Sequence, residues 1–413
     1  MLRQSLAILS VASLPFVLHA SIFRGDELLS LLNNVYSPLQ GVYTALTGLG
    51  CLFYVIFSPC LQSIFGKRTF AVCFVALSII LSGVKRNMDE NLLLEYSERN
   101  LSPQKYNFES KVVLVTGANS GVGLGTAQVM HKLGATVVMA CRSKAKCRNA
   151  AEQINERAGK GLAVPMVLDL ASFDSVRRFS HLFREKYRRL DVAFFNAGFA
   201  ATPKSGKNIT EDGYELGLGT MHFGHFVLYD ELREIILRTA KEENDVRVVM
   251  TSSAASQVSF AQFDDSLFDE PPGDIHGEKT TVHSQYPRSK LANVLFARRL
   301  QQLESSITTC SCHVGAVDTN IWAAGGPFVQ GIIDRYTKAT MRSVEEGTRT
   351  MLKCALSKSP SIVKMAAYLD GMGIVVDEKS LHPPSKNDTL AKRLWDVSER
   401  IALRGKNESI VVD

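Results

Sequence analysis

Three stretches without a fully charged side chain open the chain, at residues 4–23, 28–66 and 69–84. Lys67-Arg68 and Lys85-Arg86 flank the third. A bilayer span needs about 20 apolar residues, and shorter ones are tolerated where flanking Lys or Arg can snorkel. Residues 41–65 are the best span by this measure, 69–84 is short but well flanked, and 6–23 reads as a span or a signal peptide behind Arg3. Beyond about residue 108 the pattern changes. Short apolar, β-branched runs at 112–115, 136–140 and 248–251 alternate with helical periodicity such as that of 126–133. Strands buried on both faces read as unbroken apolar runs, and strand–helix alternation feeds a parallel sheet covered by helices. The pattern therefore predicts two parts: an N-terminal helical membrane region over 1–107 with two or three transmembrane helices, and one doubly wound α/β domain over 108–413.

The first apolar run of that domain ends in Thr116-Gly117-Ala118-Asn119-Ser120-Gly121-Val122-Gly123. A strand that turns directly into a helix needs glycine for the tight turn. Glycine also lets the backbone approach a pyrophosphate, which the N–H groups and positive dipole end of the helix then hold. The glycines are spaced G-x-x-x-G-x-G, and strand before and helix after supply the context that a glycine-rich turn alone lacks.

Further along, Tyr286-Pro287-Arg288-Ser289-Lys290 opens a second helical stretch. Spacing of i, i+4 puts Tyr286 and Lys290 on one helix face. A free phenol has a pKa of about 10 and must be brought down by roughly 3 units to work near neutrality. A nearby ammonium does this by stabilising the phenolate.

With both motifs present, the chain resembles the short-chain dehydrogenase/reductase family, most closely its retinol dehydrogenase and protochlorophyllide reductase-like branch. The resemblance runs from about residue 108 to 402 and implies a Rossmann-type sheet. It also takes in Asp169-Leu170, the site that contacts adenine, and Asn196-Ala197-Gly198 after the fourth strand. Residues 247–253 match the fifth strand, with Ser253 at the catalytic serine. His313-Val314-Gly315 through Thr319 matches the segment beside the nicotinamide, and residues 394–399 match a C-terminal helix of the branch. The resemblance implies that Tyr286 exchanges a proton with the substrate oxygen. Ser253 positions that oxygen, and Lys290 lowers the tyrosine pKa and holds the ribose. Cofactor contacts would come from Thr116, Gly117, Ser120, Gly121, Val122, Gly123, Arg142, Asp169, Asn196, Ala197, Gly198, Tyr286, Lys290 and Thr319. Three departures stand out: Met221 replaces the family's catalytic asparagine, which puts the usual water relay in doubt, Val314 replaces proline, and Phe195 replaces the first of two asparagines.

An NAD site usually has an acid at the end of the second strand, and an NADP site an arginine nearby. Here the turn reads Cys141-Arg142-Ser143-Lys144, with no carboxylate. A planar guanidinium suits a 2′-phosphate, so the cofactor expected is NADP(H). Lys144, Lys146 and Arg148 add to the positive field, although they also suit a solvated helix start.

The net charge of +6 is modest and spread out, which argues against a nucleic-acid partner. Eight cysteines contain no C-x-x-C pair, and nothing implies a disulfide framework or a zinc site. Cys310 and Cys312 read as small core residues, and the i, i+3 pair His222 and His225 as helix packing rather than a metal pair. The segment between Ser253 and Tyr286 is longer than in minimal family members, and carries Phe260, Phe263, Phe268 and Pro271-Pro272-Gly273. The resemblance places a lid at 321–342, with Trp322 and Phe328. Aromatic lining beside a membrane anchor points to a small lipophilic substrate: a retinoid, sterol, polyprenoid or fatty aldehyde. The expected location is a membrane, multi-pass, that of the endoplasmic reticulum first; the positive charges do not settle the orientation. A homodimer stays open. Asn208-Ile209-Thr210 and Asn387-Asp388-Thr389 are glycosylation triplets that chance also produces. The alternative function is a non-catalytic NADP(H) sensor or scaffold, which only Met221 favours. A transport role for the N-terminal runs lacks the intramembrane charges that mark a pathway.

Overall fold

Alternation along each strand decides which helices cover which face of the sheet. In β1 (Val112–Thr116), Val112 and Leu114 join one apolar cluster while Val113 and Val115 join the other. β2 (Thr136–Cys141), β4 (Val192–Phe195) and β5 (Val246–Ser252) split in the same way, as a pleat with period two requires. With β3 (Leu162–Val167), β6 (Ile307–His313) and β7 (Ala367–Leu369) they form one seven-stranded sheet of order β3-β2-β1-β4-β5-β6-β7, parallel at every pairing. This computed structural model describes residues 93–199, 209–243, 245–257, 261–263, 265–268, 282–317, 341–371 and 373–408.

One face is covered by α1 (Gly121–Lys132), α2 (Lys144–Asn155) and α6 (Val344–Leu356), through Ala127, Met130, Ile154, Met351 and Leu352. The other is covered by α3 (Phe173–Lys186), α4 (Gly224–Glu243), α5 (Val282–Leu303) and α7 (Asp388–Glu408), through Phe179, Phe226, Leu295 and Trp395. The doubly wound parallel sheet is therefore as expected. Chain order reverses between β1 and β4, which opens the crevice where such sheets bind ligands.

Three differences from the sequence reading have physical causes. The packed unit reaches back beyond residue 108: Leu93, Tyr96 and Leu101 are buried in the cluster of α1 and α6, and Leu93 lies against Gly373. That segment, rich in Glu, Arg and Asn, hides its three apolar anchors from a periodicity test. α5 begins a turn before Tyr286, with Pro287 inside it. Two cysteine pairs are bonded, Cys141–Cys147 and Cys310–Cys354, where no disulfide was expected. The first joins the end of β2 to α2 across six residues, and the second joins β6 to α6 across 44, a contact that only the chain crossover brings about. Cys312 is buried and free.

The three uncharged N-terminal runs lie outside the described residues, as do Thr319, Phe260, Pro271-Pro272-Gly273, Trp322, Phe328 and Asn208. Among the described residues no helix is long and apolar enough to cross a membrane. Asn387 is exposed, and its side-chain oxygen accepts from Leu390 N–H at the start of α7.

Candidate active site

The turn after β1 is shaped by what it has no room for. Gly117 (φ +67°) and Gly121 (φ +55°) take left-handed backbone angles, and Gly117 N–H donates to Ala140 at 2.8 Å. A Cβ on Gly123 would stand 2.5 Å from Gly117 O and 2.6 Å from Asn196 Nδ2, so no side chain fits there. Ser120 precedes α1 with its hydroxyl in no capping bond, Val122 is buried, and the first turn carries no acid. N–H groups with no internal partner and an uncontested dipole end are what a pyrophosphate requires. The residues present thus fit a dinucleotide.

Thr116 ties this turn to the next strand. Its hydroxyl oxygen accepts from the N–H groups of Asn196 and Ala197, both at 2.9 Å, and Asn196 Nδ2 donates to Thr116 O at 3.0 Å. Asn196-Ala197-Gly198 is thereby held against the glycine turn.

Arg142 follows β2 directly and is exposed, as are Lys144, Lys146 and Arg148. Ser143 caps α2 by accepting from Lys146 N–H, which leaves Arg142 at the tip of the turn. Asp169, after β3, accepts from Ala171 N–H at 3.0 Å, and its own N–H donates to Ser175. Gly315 (φ +86°), after β6, donates to His313 Nδ1 at 3.4 Å.

The proposed proton-handling groups meet where β5 ends. Ser253 follows the strand, accepts from Ala255 N–H at 3.2 Å and lies close enough to Tyr286 to act on its phenol. Lys290 Nζ donates to Thr251 O at 3.1 Å and stands 5.5 Å from the centroid of the Tyr286 ring. Burial pushes the Tyr286 phenol above its ordinary value, against a smaller pull downward from Ser253. Burial also brings Lys290 down to about 8. Desolvation is the largest cause for both groups, and the ammonium engages the Thr251 carbonyl and the face of the ring. Two neighbours escaped the sequence reading. Asn293, one turn beyond Lys290, donates to the same Thr251 carbonyl at 3.0 Å, and Ser252 Oγ donates to Lys290 O at 2.8 Å. The i, i+3 step from Lys290 to Asn293 was the available signal.

Met221 lies in a π-helical turn, Gly219–Phe223, that leads into α4. π-turns inside helices are frequent at functional sites. A Cβ on Gly198 would lie 3.0 Å from Met221 Sδ and 3.2 Å from Lys290 Nζ, so thioether and ammonium crowd the same small space. His222 and His225 are buried: His222 Nε2 meets Ser398 Oγ at 2.9 Å, and His225 bonds Thr116 Oγ1 and Met221 O. Desolvation brings them down to about 3 and about 4. No cluster of three or more metal-ligating side chains exists among the described residues.

A family model for short chain dehydrogenases matches residues 111–264. Human retinol dehydrogenase 14 is 33% identical over 307 residues, covering 70% of this chain and 85% of that protein. Human dehydrogenase/reductase SDR family member 13 is 32% identical over 310 residues, covering 74% and 77%. A crystal structure of an uncharacterized protein from Mycobacterium paratuberculosis superposes with a TM-score of 0.53 at 27% identity, covering 73% of this chain and 97% of that one. The chain belongs to the short-chain dehydrogenase/reductase family. Within it, the chain falls in the retinol dehydrogenase-like branch, whose chemistry is the interconversion of alcohol and carbonyl.

Proposed function

We propose that this protein is a membrane-anchored, NADP(H)-dependent oxidoreductase that interconverts an alcohol and a carbonyl on a small lipophilic substrate. The observation that carries the chemistry is the gathering of Ser253, Tyr286 and Lys290 at the C-terminal end of β5, with Lys290 Nζ on the Thr251 carbonyl and 5.5 Å from the Tyr286 ring centroid. The bound nicotinamide would supply or accept the hydride. The side chains do the rest. Ser253 and Tyr286 present two hydroxyls to one substrate oxygen and orient it. Tyr286, its phenol kept protonated by burial, gives its proton to that oxygen in the reductive direction and takes one back in the oxidative direction. Lys290 holds positive charge beside the ring. The pyrophosphate would lie over Gly121 and Gly123, and Arg142 would meet the 2′-phosphate. The retinol-named relatives and the uncharged N-terminal runs support the lipophilic substrate and the anchor.

Tyr286→Phe should bind NADPH as wild type does and lose turnover by at least about 10²-fold, measured on whichever of retinal, a steroid ketone, a polyprenal or a long-chain aldehyde the wild type reduces. Turnover within tenfold of wild type would place the proton donor elsewhere. Arg142→Ala should weaken NADPH much more than NADH, by titration of each dinucleotide. A wild-type preference for NADH would end the cofactor reading.

A further inference from the structure

His225 has two short contacts, and together they fix its protonation. Its Nδ1 lies 3.0 Å from the Met221 carbonyl oxygen, which can only accept, so Nδ1 carries the proton. In a neutral ring Nε2 must then be an acceptor. Thr116 reaches the same answer independently. Both lone pairs of its hydroxyl oxygen are taken by Asn196 and Ala197 N–H, so its own proton must go outward. His225 Nε2 at 2.9 Å is the nearer acceptor, with Phe194 O at 3.4 Å. The ring is fully buried and stacked on Phe195, with centroids 5.1 Å apart, at the position where this chain departs from the family's asparagine. The field of Lys290, like burial, favours the neutral ring.

We propose that His225 is a positioning residue, a single-tautomer imidazole that bridges the Met221 carbonyl of the π-turn and the Thr116 hydroxyl of the cofactor turn. One end of the bridge sets the turn on which the dinucleotide rests. The other sets the turn whose thioether crowds Lys290. Cofactor seating and the proton-handling side of the site are thereby mechanically joined through one ring.

The inference rests on the cofactor reading above, and the test separates the two. In full-length protein in detergent, NADPH affinity and steady-state kinetics are measured for His225→Phe, His225→Gln, Thr116→Val and the double variant His225→Phe/Thr116→Val. Phenylalanine keeps the ring on Phe195 and removes both bonds, so NADPH should bind about tenfold more weakly, with kcat also reduced. Glutamine offers a donor and an acceptor and should recover much of both losses. Thr116→Val, which also strips the acceptor of Asn196 and Ala197 N–H, should weaken NADPH at least as much, and the double variant should be little worse than Thr116→Val, because the bond between His225 and Thr116 is already lost there. Wild-type affinity in His225→Phe, or fully additive losses, would overturn the proposal. Should the phenylalanine variant not fold, ¹⁵N spectra of histidine-labelled wild type decide: a His225 ring protonated at Nε2 at pH 7 overturns it, and protonation at Nδ1 alone supports it. Failure of the wild type to bind NADPH would sink the cofactor reading, while the tautomer would still be read.

Discussion

Met221 is the residue at which this chain differs most from its family in chemistry. A thioether is a weak acceptor and no donor, so it holds a relay water poorly. Its sulfur and Lys290 Nζ both lie close against Gly198. Met221→Asn should therefore leave kcat intact or raise it severalfold, since acid–base steps contribute about 10²–10⁴ in rate and only part runs through a relay. A large fall in kcat with unchanged NADPH affinity would show the methionine to be a needed pocket residue. At this scale the sequence was informative wherever a residue's role is local. Gly117, Gly121 and Gly123 announce a turn by backbone and volume alone, and Tyr286 and Lys290 share a face by helical arithmetic. His225 could be read only as packing, because its partners Thr116 and Met221 come from a strand and a π-turn that no spacing rule joins. Whether an ammonium points at a hydroxyl or at a carbonyl is likewise decided by β5, not by the helix.

Among the elements, the segment at Leu93–Leu101 matters most for anyone dissecting the chain. Fully burying a large apolar side chain contributes about 1.5–3 kcal/mol, and Leu93, Tyr96 and Leu101 each cover the layer of α1 and α6. A chain that begins at residue 91 should fold like the full-length protein and lose its hold on membranes, while the full-length chain resists carbonate extraction. A chain that begins at residue 108 should melt on the order of 10 °C lower by calorimetry. Equal melting of the two truncations would show that the three side chains add nothing. The strands and helices themselves were legible because each buries a periodic stripe, whereas this segment is held by three anchors with no regular spacing in a short stretch that also carries Glu95, Glu98 and Arg99.

For the molecule as a whole, buried histidines set the response to acid. Burial holds His222 down to about 3 and His225 and His382 down to about 4, and lowers His131 as well. The unfolded chain takes up protons at these rings below their ordinary value of about 6.5, and the folded chain refuses them. Their effect on stability is therefore absent above about pH 7 and grows as a loss as the pH falls toward 4. The melting temperature should drop steeply between pH 6.5 and 4.5, and His222→Gln should flatten the slope. A melting temperature constant across that range would contradict the burial of these rings. Both disulfides lie in the layer of α1, α2 and α6, and neither reaches the layer of α5 that carries Tyr286 and Lys290. The cross-links reinforce the half that would grip a nucleotide, and one of them brackets Arg142. A reducing buffer is thus a lever on one half of the enzyme: it loosens the bracket around Arg142 while leaving the tyrosine's surroundings covalently as they were.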